Sequence, residues 1–315
     1  MKSPTHLREF MADDFDYGSP ATDRQTFAAI AIVGTVLALL FIVLDIGDLV
    51  SKSAQSLNDP QAPTVPVVSF RLLALAMGVW AVVKMFRVGA GNMVVLLHEE
   101  RKLKLIHPIG IEKFVTFSSW TLLSNILYFS SVLLAAFYRM NEAPIPSLLE
   151  HFQIIMFAVA CGTSFLTATV VRHIILPDFI DSQRDSQYMF QYHEQVMHNF
   201  AAIFMAIEVL LVVPTMRPEF ALYCVGMGLI YVCFAYIYAY NGGGFYVYSF
   251  IDPRLRYAPF TMLALALAIA VFYLGIVLVT LVVEWNIFIG GVLMTAWVSL
   301  IVQFWSNDPN AQSSS

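Results

Sequence analysis

Residues 259–283 read PFTMLALALAIAVFYLGIVLVTLVV and contain no charged side chain. A helix needs roughly 20 apolar residues to cross a hydrocarbon core of ~30 Å, so this run predicts a transmembrane helix. Comparable apolar runs lie at 26–50, 66–86, 114–138, 151–176, 198–216, 220–241 and 286–305. The sequence therefore predicts an all-α polytopic transmembrane helix bundle with eight spans.

The composition supports a membrane protein and excludes several other classes. Hydrophobic residues make up 59% of the 315 positions and charged residues 12%, against about 25% charged in a soluble domain. No basic stripe typical of a nucleic-acid interface is visible, so no nucleic-acid partner is expected. Cys161, Cys224 and Cys233 all fall inside predicted spans without a C-x-x-C pair, which predicts neither a disulfide framework nor a thiolate metal site.

The positions of Lys and Arg predict the orientation of the bundle, because short cytoplasmic loops are enriched in positive charge. The loops that alternate along one side contain Lys2, Arg8, Arg24, Lys84, Arg87, Arg101, Lys102, Lys104, Lys113, Arg172, Arg184, Arg254 and Arg256. The opposite loops contain only Lys52, Arg139 and Arg217, and Arg71 falls inside a span. This bias places both termini in the cytoplasm. The N-terminus lacks the pattern of a cleaved signal peptide, so the first span is expected to act as its own insertion signal.

A first polar stripe lies in the span at 114–138. Ser118, Thr121 and Asn125 are spaced by three and four residues, which predicts one shared helix face. Polar groups in hydrocarbon need an internal partner or a water-filled cavity. The stripe is therefore either part of a reaction site or a set of Ser, Thr and Asn side chains that bridge neighbouring helices.

A second polar stripe combines His198 and Glu208 in the span at 198–216, at helical spacing with Ala201 and Met205 between them. An intramembrane Glu is a functional candidate by default. A neutral Glu bonded to another helix, together with an imidazole that anchors the helix end at the interface, explains the same pattern. The sequence is consistent with either a functional or a purely structural role for His198 and Glu208.

The two polar stripes are expected to lie at similar depths in the membrane. Both helices enter from the predicted cytoplasmic side, and Thr121 lies about 12 Å along its helix from Lys113. Thr121 and His198 can therefore occupy the same leaflet, as a Thr nucleophile activated by a His base requires. Glu194, one turn before His198, can orient that imidazole, whereas Glu208 is roughly 15 Å deeper. His193 and His198 do not have the i, i+4 spacing of a zinc helix, so no metal and no cofactor are expected.

Three motifs resemble a known family. Met197 and His198 followed by Glu208, and the run Gly244-Phe-Tyr-Val-Tyr-Ser-Phe-Ile-Asp-Pro253, resemble the androgen-induced membrane protein family. Its animal members are multi-span threonine hydrolases of fatty acid esters of hydroxy fatty acids. The run Phe117-Ser-Ser-Trp-Thr-Leu-Leu-Ser-Asn125 looks like the motif of a related, uncharacterised bacterial six-helix family.

The resemblance implies roles and boundaries. The catalytic His of the family falls on His198 and its Thr on Thr121, with Thr116 in Lys113-Phe-Val-Thr-Phe117 as the second candidate. The chain departs from the family at Ile203, where a proline is common, and at Gln195, where a second His is expected. The organisation implied is a polar tail at 1–25, an extra first span and external loop at 26–65, a six-helix core at 66–283, an extra last span at 284–305 and a polar tail at 306–315.

The leading functional hypothesis is an integral membrane lipid-ester hydrolase in which Thr121 attacks an acyl carbonyl and His198 accepts the proton. The residues expected to support the site are Ser118, Asn125, Glu194, Glu208, Tyr248 and Asp252. The partners are the lipid bilayer and a fatty-acyl ester, whose anionic head would meet Arg254, Arg256 or the basic 84–113 loop. Nothing in the sequence indicates an oligomeric state. The alternative is a transporter or lipid-binding protein in which Glu208 and His198 form a proton or substrate relay.

Overall fold

In the computed structural model of the chain, the described residues are 15–19, 22–57, 65–181 and 187–305. The helices are α1 (Thr22–Val43), α2 (Ile46–Leu57), α3 (Val65–Arg87), α4 (Phe117–Met140), α5 (Ser147–Val170), α6 (Leu176–Asp181), α7 (Tyr192–Gln195), α8 (Ala201–Val212), α9 (Ala221–Asn241), α10 (Ala258–Trp285) and α11 (Ile287–Ile301). A π-helical turn at Val171–Ile175 joins α5 to α6, and another at Val196–Phe200 joins α7 to α8. The strands are β1 (Met93–Leu97), β2 (Leu103–Ile106) and β3 (Phe245–Tyr246).

The chain is a mostly helical, multi-pass membrane protein. Within the described ranges, seven helices are long and apolar enough to cross a bilayer: α1, α3, α4, α5 with α6, α7 with α8, α9 and α10. The eighth predicted span, at 286–305, corresponds to α11, which has 15 residues. At 1.5 Å per residue, α11 is about 22 Å long, which is shorter than a hydrocarbon core of ~30 Å.

The first predicted span, at 26–50, differs from the structure. Helix α1 ends at Val43, and Asp45 has a φ of 45°, which turns the chain into the separate helix α2. Asp48 and Lys52 form an exposed ion pair on one side of α2, while Val50 and Ala54 are buried against the bundle. An amphipathic helix of this kind lies at an interface rather than in hydrocarbon.

Helix α5 is the central element of the bundle. In the most apolar stretch of this span, 78% of the residues are buried, compared with 6% in the peripheral helix α1. It packs against α2, α4, α8, α9 and α10, and Ala160 and Phe165 are fully buried. Because α5 touches most of the other spans, its polar side chains have neighbours on several helices.

A small antiparallel sheet in the order β2-β1-β3 was not predicted. In β1, Leu96 pairs with Leu103 of β2 and with Tyr246 of β3. Leu96 and Tyr246 are both fully buried. The prediction of an all-α fold is therefore incomplete, because part of the basic 84–113 loop folds against the segment that follows α9.

The predicted N-terminal tail at 1–25 is partly structured. Residues 15–19 lie along the loop before α10, where Tyr17 forms a β-bridge with Leu255 and the Gly18 N–H donates to the Arg254 carbonyl. Helix α1 begins at Thr22. Residues 1–14, 20–21 and 306–315 of the two predicted tails, and the predicted loop charge Arg184, lie outside the described residues.

Candidate functional site

A cavity of about 420 Å³ lies at the end of the bundle that carries the sheet. Its walls come from β1, the start of α4, the α7 region and the segment before α10. Five of the residues predicted from the sequence line it: Thr116, Ser118, Glu194, His198 and Tyr248. The cavity combines hydroxyl, carboxylate, imidazole and phenol groups with apolar walls, which is the usual composition of a small-molecule site.

His198 and Glu194 form the charged wall of this cavity. The π-helical turn at Val196–Phe200 carries His198, whose Nε2 lies 3.5 Å from Glu194 Oε2. On the other side, His193 Nε2 lies 3.4 Å from Glu194 Oε1. His198 Nδ1 is buried and has no hydrogen-bond partner in the described part of the chain. The carboxylate thus lies against one ring nitrogen of His198, while the other nitrogen is not engaged by any described residue.

Tyr188, which was not predicted from the sequence, completes the environment of Glu194. It lies before α7 and lines the cavity. Burial raises the pKa of the Tyr188 hydroxyl, and so does the Glu194 carboxylate, to which this hydroxyl donates. The phenol therefore remains a hydrogen-bond donor to Glu194 at neutral pH.

Each ammonium proton of Lys113 is donated to a backbone carbonyl. Nζ donates to the carbonyls of Met85 at 2.8 Å, Val88 at 3.0 Å and Gly89 at 2.9 Å. These carbonyls lie at and just after the C-terminal end of α3, where a cation is favourable. Burial lowers the pKa of Lys113. Although Lys113 lines the cavity, its donors are used by the backbone rather than offered to an anionic head group.

Thr116 is the N-cap of α4. Its Oγ1 accepts from the Ser119 N–H at 3.2 Å and lies 2.8 Å from Ser119 Oγ. Ser119 Oγ donates its single proton to the Lys113 carbonyl at 2.8 Å. Thr116 is therefore the donor in the pair of hydroxyls, and it is one of the residues that line the cavity.

Ser118 and Tyr248 lie next to Thr116 on the same wall. The Tyr248 hydroxyl accepts from the Phe117 N–H at 3.2 Å, at the first turn of α4. Burial raises the pKa of Tyr248 to about 12. Tyr248 is thus neutral near pH 7, and its proton can be donated to an oxygen at the cavity wall.

Thr121 and Asn125 lie outside this cavity and face α5 instead. Thr121 Oγ1 lies 3.1 Å from Thr167 Oγ1, and Asn125 Nδ2 donates to Ser164 Oγ at 2.9 Å. The two residues share a helix face, but that face meets α5, where such contacts usually bridge membrane helices. Of Thr121 and His198, the structure places only His198 on the wall of this cavity.

Glu208 forms a buried ion pair inside the bundle. Its Oε1 accepts from Arg71 Nε at 2.9 Å, from Arg71 Nη2 at 2.6 Å and from the Tyr128 hydroxyl at 2.8 Å. The π-helical turn interrupts the regular helix that was predicted to place His198 and Glu208 on one face. Glu208 does not line the cavity that contains His198, and Arg71 is its structural partner.

Asp252 and Arg254 stabilise the loop before α10. Asp252 is fully buried, and its carboxylate accepts from Arg254 Nε at 2.9 Å and Nη2 at 2.7 Å. Arg254 Nη1 also donates to the His98 carbonyl, which ties the loop to the end of β1. Arg256 is exposed, and its Nη1 lies 3.4 Å from Asp16 Oδ2. Asp252 and Arg254 are thus engaged with each other and with the backbone.

A second cavity, of about 130 Å³, lies between α1, α5, α9 and α10 and is almost entirely apolar. Ser118, Ile175, Tyr248 and Phe250 line both cavities and form the boundary between them. The cavity that contains His198 and the apolar cavity therefore adjoin at a wall that includes the hydroxyl-bearing side chains of Ser118 and Tyr248.

Within the described residues, no group of three or more His, Cys, Asp or Glu side chains is arranged to hold a metal ion. No protein-family model, curated protein or solved structure matches the chain. The resemblance to the androgen-induced membrane protein family thus stays a hypothesis based on the motifs at 117–125, 197–208 and 244–253.

Proposed function

We propose that the protein is an integral membrane hydrolase of single-chain lipid esters, with Thr116 as the nucleophile and His198 as the general base. One observation carries the proposal: Thr116 and the His198–Glu194 pair line the same cavity, and an apolar cavity adjoins it. A nucleophile needs a base within reach and a third group that orients the base. Thr116 supplies the hydroxyl, His198 the base and Glu194 the orienting carboxylate in this proposal, and their common position on the cavity wall supports it.

The proposed reaction has two stages. The Thr116 hydroxyl first rotates away from Ser119 Oγ, its acceptor in the resting protein. His198 Nδ1 then takes its proton while Thr116 Oγ1 attacks the ester carbonyl carbon. The tetrahedral intermediate then expels the alcohol, which receives that proton from His198. A water molecule next gives a proton to His198 and attacks the acyl-Thr116 ester. The second tetrahedral intermediate expels Thr116 Oγ1, which receives that proton from His198. The products of the two stages are the alcohol and a free fatty acid, and Thr116 and neutral His198 are regenerated. Glu194, 3.5 Å from Nε2, stabilises the imidazolium in both stages.

Tyr248 is the proposed donor to the developing oxyanion. It is neutral because its pKa is about 12, and its own oxygen already accepts from Phe117. Asn125, a candidate for this role from the sequence, uses its amide on Ser164 and on the Thr121 carbonyl. A preorganised donor of this kind contributes about 10²- to 10³-fold to the rate.

The test of the proposed function uses purified protein in lipid nanodiscs and a fluorogenic ester with one alkyl chain. The wild-type protein should hydrolyse the ester and be blocked by a fluorophosphonate. His198→Ala should lower turnover by about 10²- to 10⁴-fold, because it removes the general base, while expression and melting temperature stay near wild type. Equal turnover of wild type and folded His198→Ala would refute the proposal.

The apolar cavity is the proposed site of the acyl chain. Gly228 lines it, and a Cβ at this position would lie 2.9 Å from Ile269 Cδ1. We expect Gly228→Leu to fill the cavity and shift the preference toward shorter chains by about 10-fold in kcat/KM. Gly291→Leu is the matched control, since a Cβ there meets open space. An unchanged chain-length profile in Gly228→Leu would place the acyl chain elsewhere.

We also propose eight crossings with both termini in the cytoplasm. The excess of Lys and Arg on alternate loops supports this orientation. Helix α11 supports the even count, because it runs from the end of α10 back to the cavity end, where Gln303 bonds Asn199.

This topology makes opposite predictions for two loops. With the native cysteines removed, Lys102→Cys should react with an impermeant maleimide only after permeabilisation, and Ile145→Cys should react in intact cells. Labelling of both variants from the same side would contradict the arrangement.

A further inference from the structure

The segment Val302–Trp305, which we call the clamp segment, lies against the turn that carries His198. It is extended, with Val302 at φ −96° and ψ 147°. Asn199 Nδ2 donates to the Gln303 carbonyl at 2.6 Å, and the Gln303 N–H donates to Asn199 Oδ1 at 3.2 Å. One side-chain amide thus pairs with both backbone groups of one residue in the clamp segment.

The end of α11 is held in the same region by the other π-helical turn. Arg172 Nη1 donates to the carbonyls of Ser299 and Val302, and His173 Nε2 lies 2.9 Å from the Leu300 carbonyl. Cations and donors at a helix C-terminus satisfy carbonyls that have no partner within the helix. The clamp segment therefore touches both π-helical turns, at Val171–Ile175 and at Val196–Phe200.

The contacts of the clamp segment reach the residue next to His198 and extend into α7. Asn199 Nδ2 also donates to Gln195 Oε1 at 2.7 Å, and Gln195 Nε2 donates to the Met189 carbonyl at 3.3 Å. Phe304 packs on Phe200 with ring centroids 5.5 Å apart. His198, Asn199 and Gln303 also line one small cavity of about 10 Å³, so the clamp segment lies close to the His198 turn with little free space between them.

We infer that the clamp segment positions His198 through Asn199, which makes Asn199 a positioning residue for the general base. The inference rests on the proposed function in one respect, namely that His198 is the base of the reaction. A π-helical turn has i→i+5 hydrogen bonds in place of the i→i+4 bonds of an α-helix, here from the Ala201 N–H to the Val196 carbonyl, and is frequent at functional sites. The Asn199–Gln303 pair adds a constraint from outside the turn.

Two substitutions at one position test the inference in the full-length protein. Gln303→Pro removes the N–H that donates to Asn199 Oδ1, and Val302 already has the extended conformation that a residue before proline adopts. Gln303→Ala keeps both backbone groups and removes only the side chain, whose Nε2 bonds the Trp305 carbonyl. We expect Gln303→Pro, and likewise Asn199→Asp, to lower the maximal rate of fluorophosphonate labelling by about 10²-fold with an unchanged half-saturating concentration. Gln303→Ala should match wild type.

A second readout does not depend on turnover. In protein labelled with [15N]histidine, the ratio of Nδ1–H to Nε2–H tautomers of His198 should change in Gln303→Pro and not in Gln303→Ala. A change in this ratio without labelling of wild type supports the clamp and refutes the hydrolase. Normal labelling of wild type together with an unchanged tautomer ratio and an unchanged maximal rate in Gln303→Pro overturns the clamp and leaves the hydrolase intact.

Discussion

Thr116→Asn should abolish ester hydrolysis, with a loss of roughly 10⁴- to 10⁶-fold, while the protein stays folded. Removing a nucleophile has an effect of this order in hydrolases. Asn caps a helix as well as Thr does, so the N-cap of α4 and its bond to the Ser119 N–H are retained. The measurement is turnover of the single-chain ester, compared at matched protein concentration and melting temperature.

Two control variants separate this site from the alternative hydroxyl. Thr116→Ser keeps both the cap and a nucleophilic hydroxyl, so it should retain measurable turnover. Thr121→Val removes the hydroxyl that lies 3.1 Å from Thr167 and should retain most of the activity. Loss of turnover in Thr121→Val with normal turnover in Thr116→Asn would restore Thr121 as the nucleophile.

Arg71→Met should destabilise the folded protein strongly, by about 3–5 kcal/mol. The side chains of Arg71 and Glu208 are 5% and 0% exposed, so loss of the guanidinium leaves a carboxylate buried without a cation. The free energy of unfolding is measured by titration with SDS in mixed micelles.

The double variant Arg71→Met/Glu208→Gln should recover most of the lost stability, because a neutral amide still accepts from Tyr128 and needs no cation. Lys52→Met is the matched control, since its ion pair with Asp48 is exposed and contributes only about 0.2–1 kcal/mol. Equal effects of Arg71→Met and Lys52→Met would contradict a structural role for the buried pair.

Most spans were predictable because hydropathy is a local property of the sequence. The sheet was not predicted, because its short strands are defined by pairings such as Leu96 with Tyr246, far apart in the chain. The end of α1 was placed too late, since the apolar residues up to Val50 hid the turn at Asp45. The sequence contained a pattern that could have predicted the pairing of Arg71 with Glu208. Each is a lone charge inside an apolar span, and such charges pair with one another.

The site was predictable in its residue types but not in its geometry. His198, Glu194, Ser118, Thr116 and Tyr248 were all named from the sequence, and the cavity contains all of them. Helical periodicity grouped Thr121 with Asn125, but it does not tell which neighbouring helix that face meets. A π-helical turn has no sequence signature comparable to a proline or a cap, so the change of face between His198 and Glu208 could not be anticipated.

The assignment of Thr116 as the nucleophile is tested most directly by locating the covalent adduct on the protein. Wild-type protein is treated with a fluorophosphonate that carries one alkyl chain, digested and analysed by tandem mass spectrometry, with Thr116→Asn and His198→Ala treated in parallel. We expect a phosphonyl group on Thr116 in wild type, no adduct in Thr116→Asn and a strongly slowed reaction in His198→Ala. An adduct on Thr121, or no specific adduct on a folded wild-type protein, would contradict it.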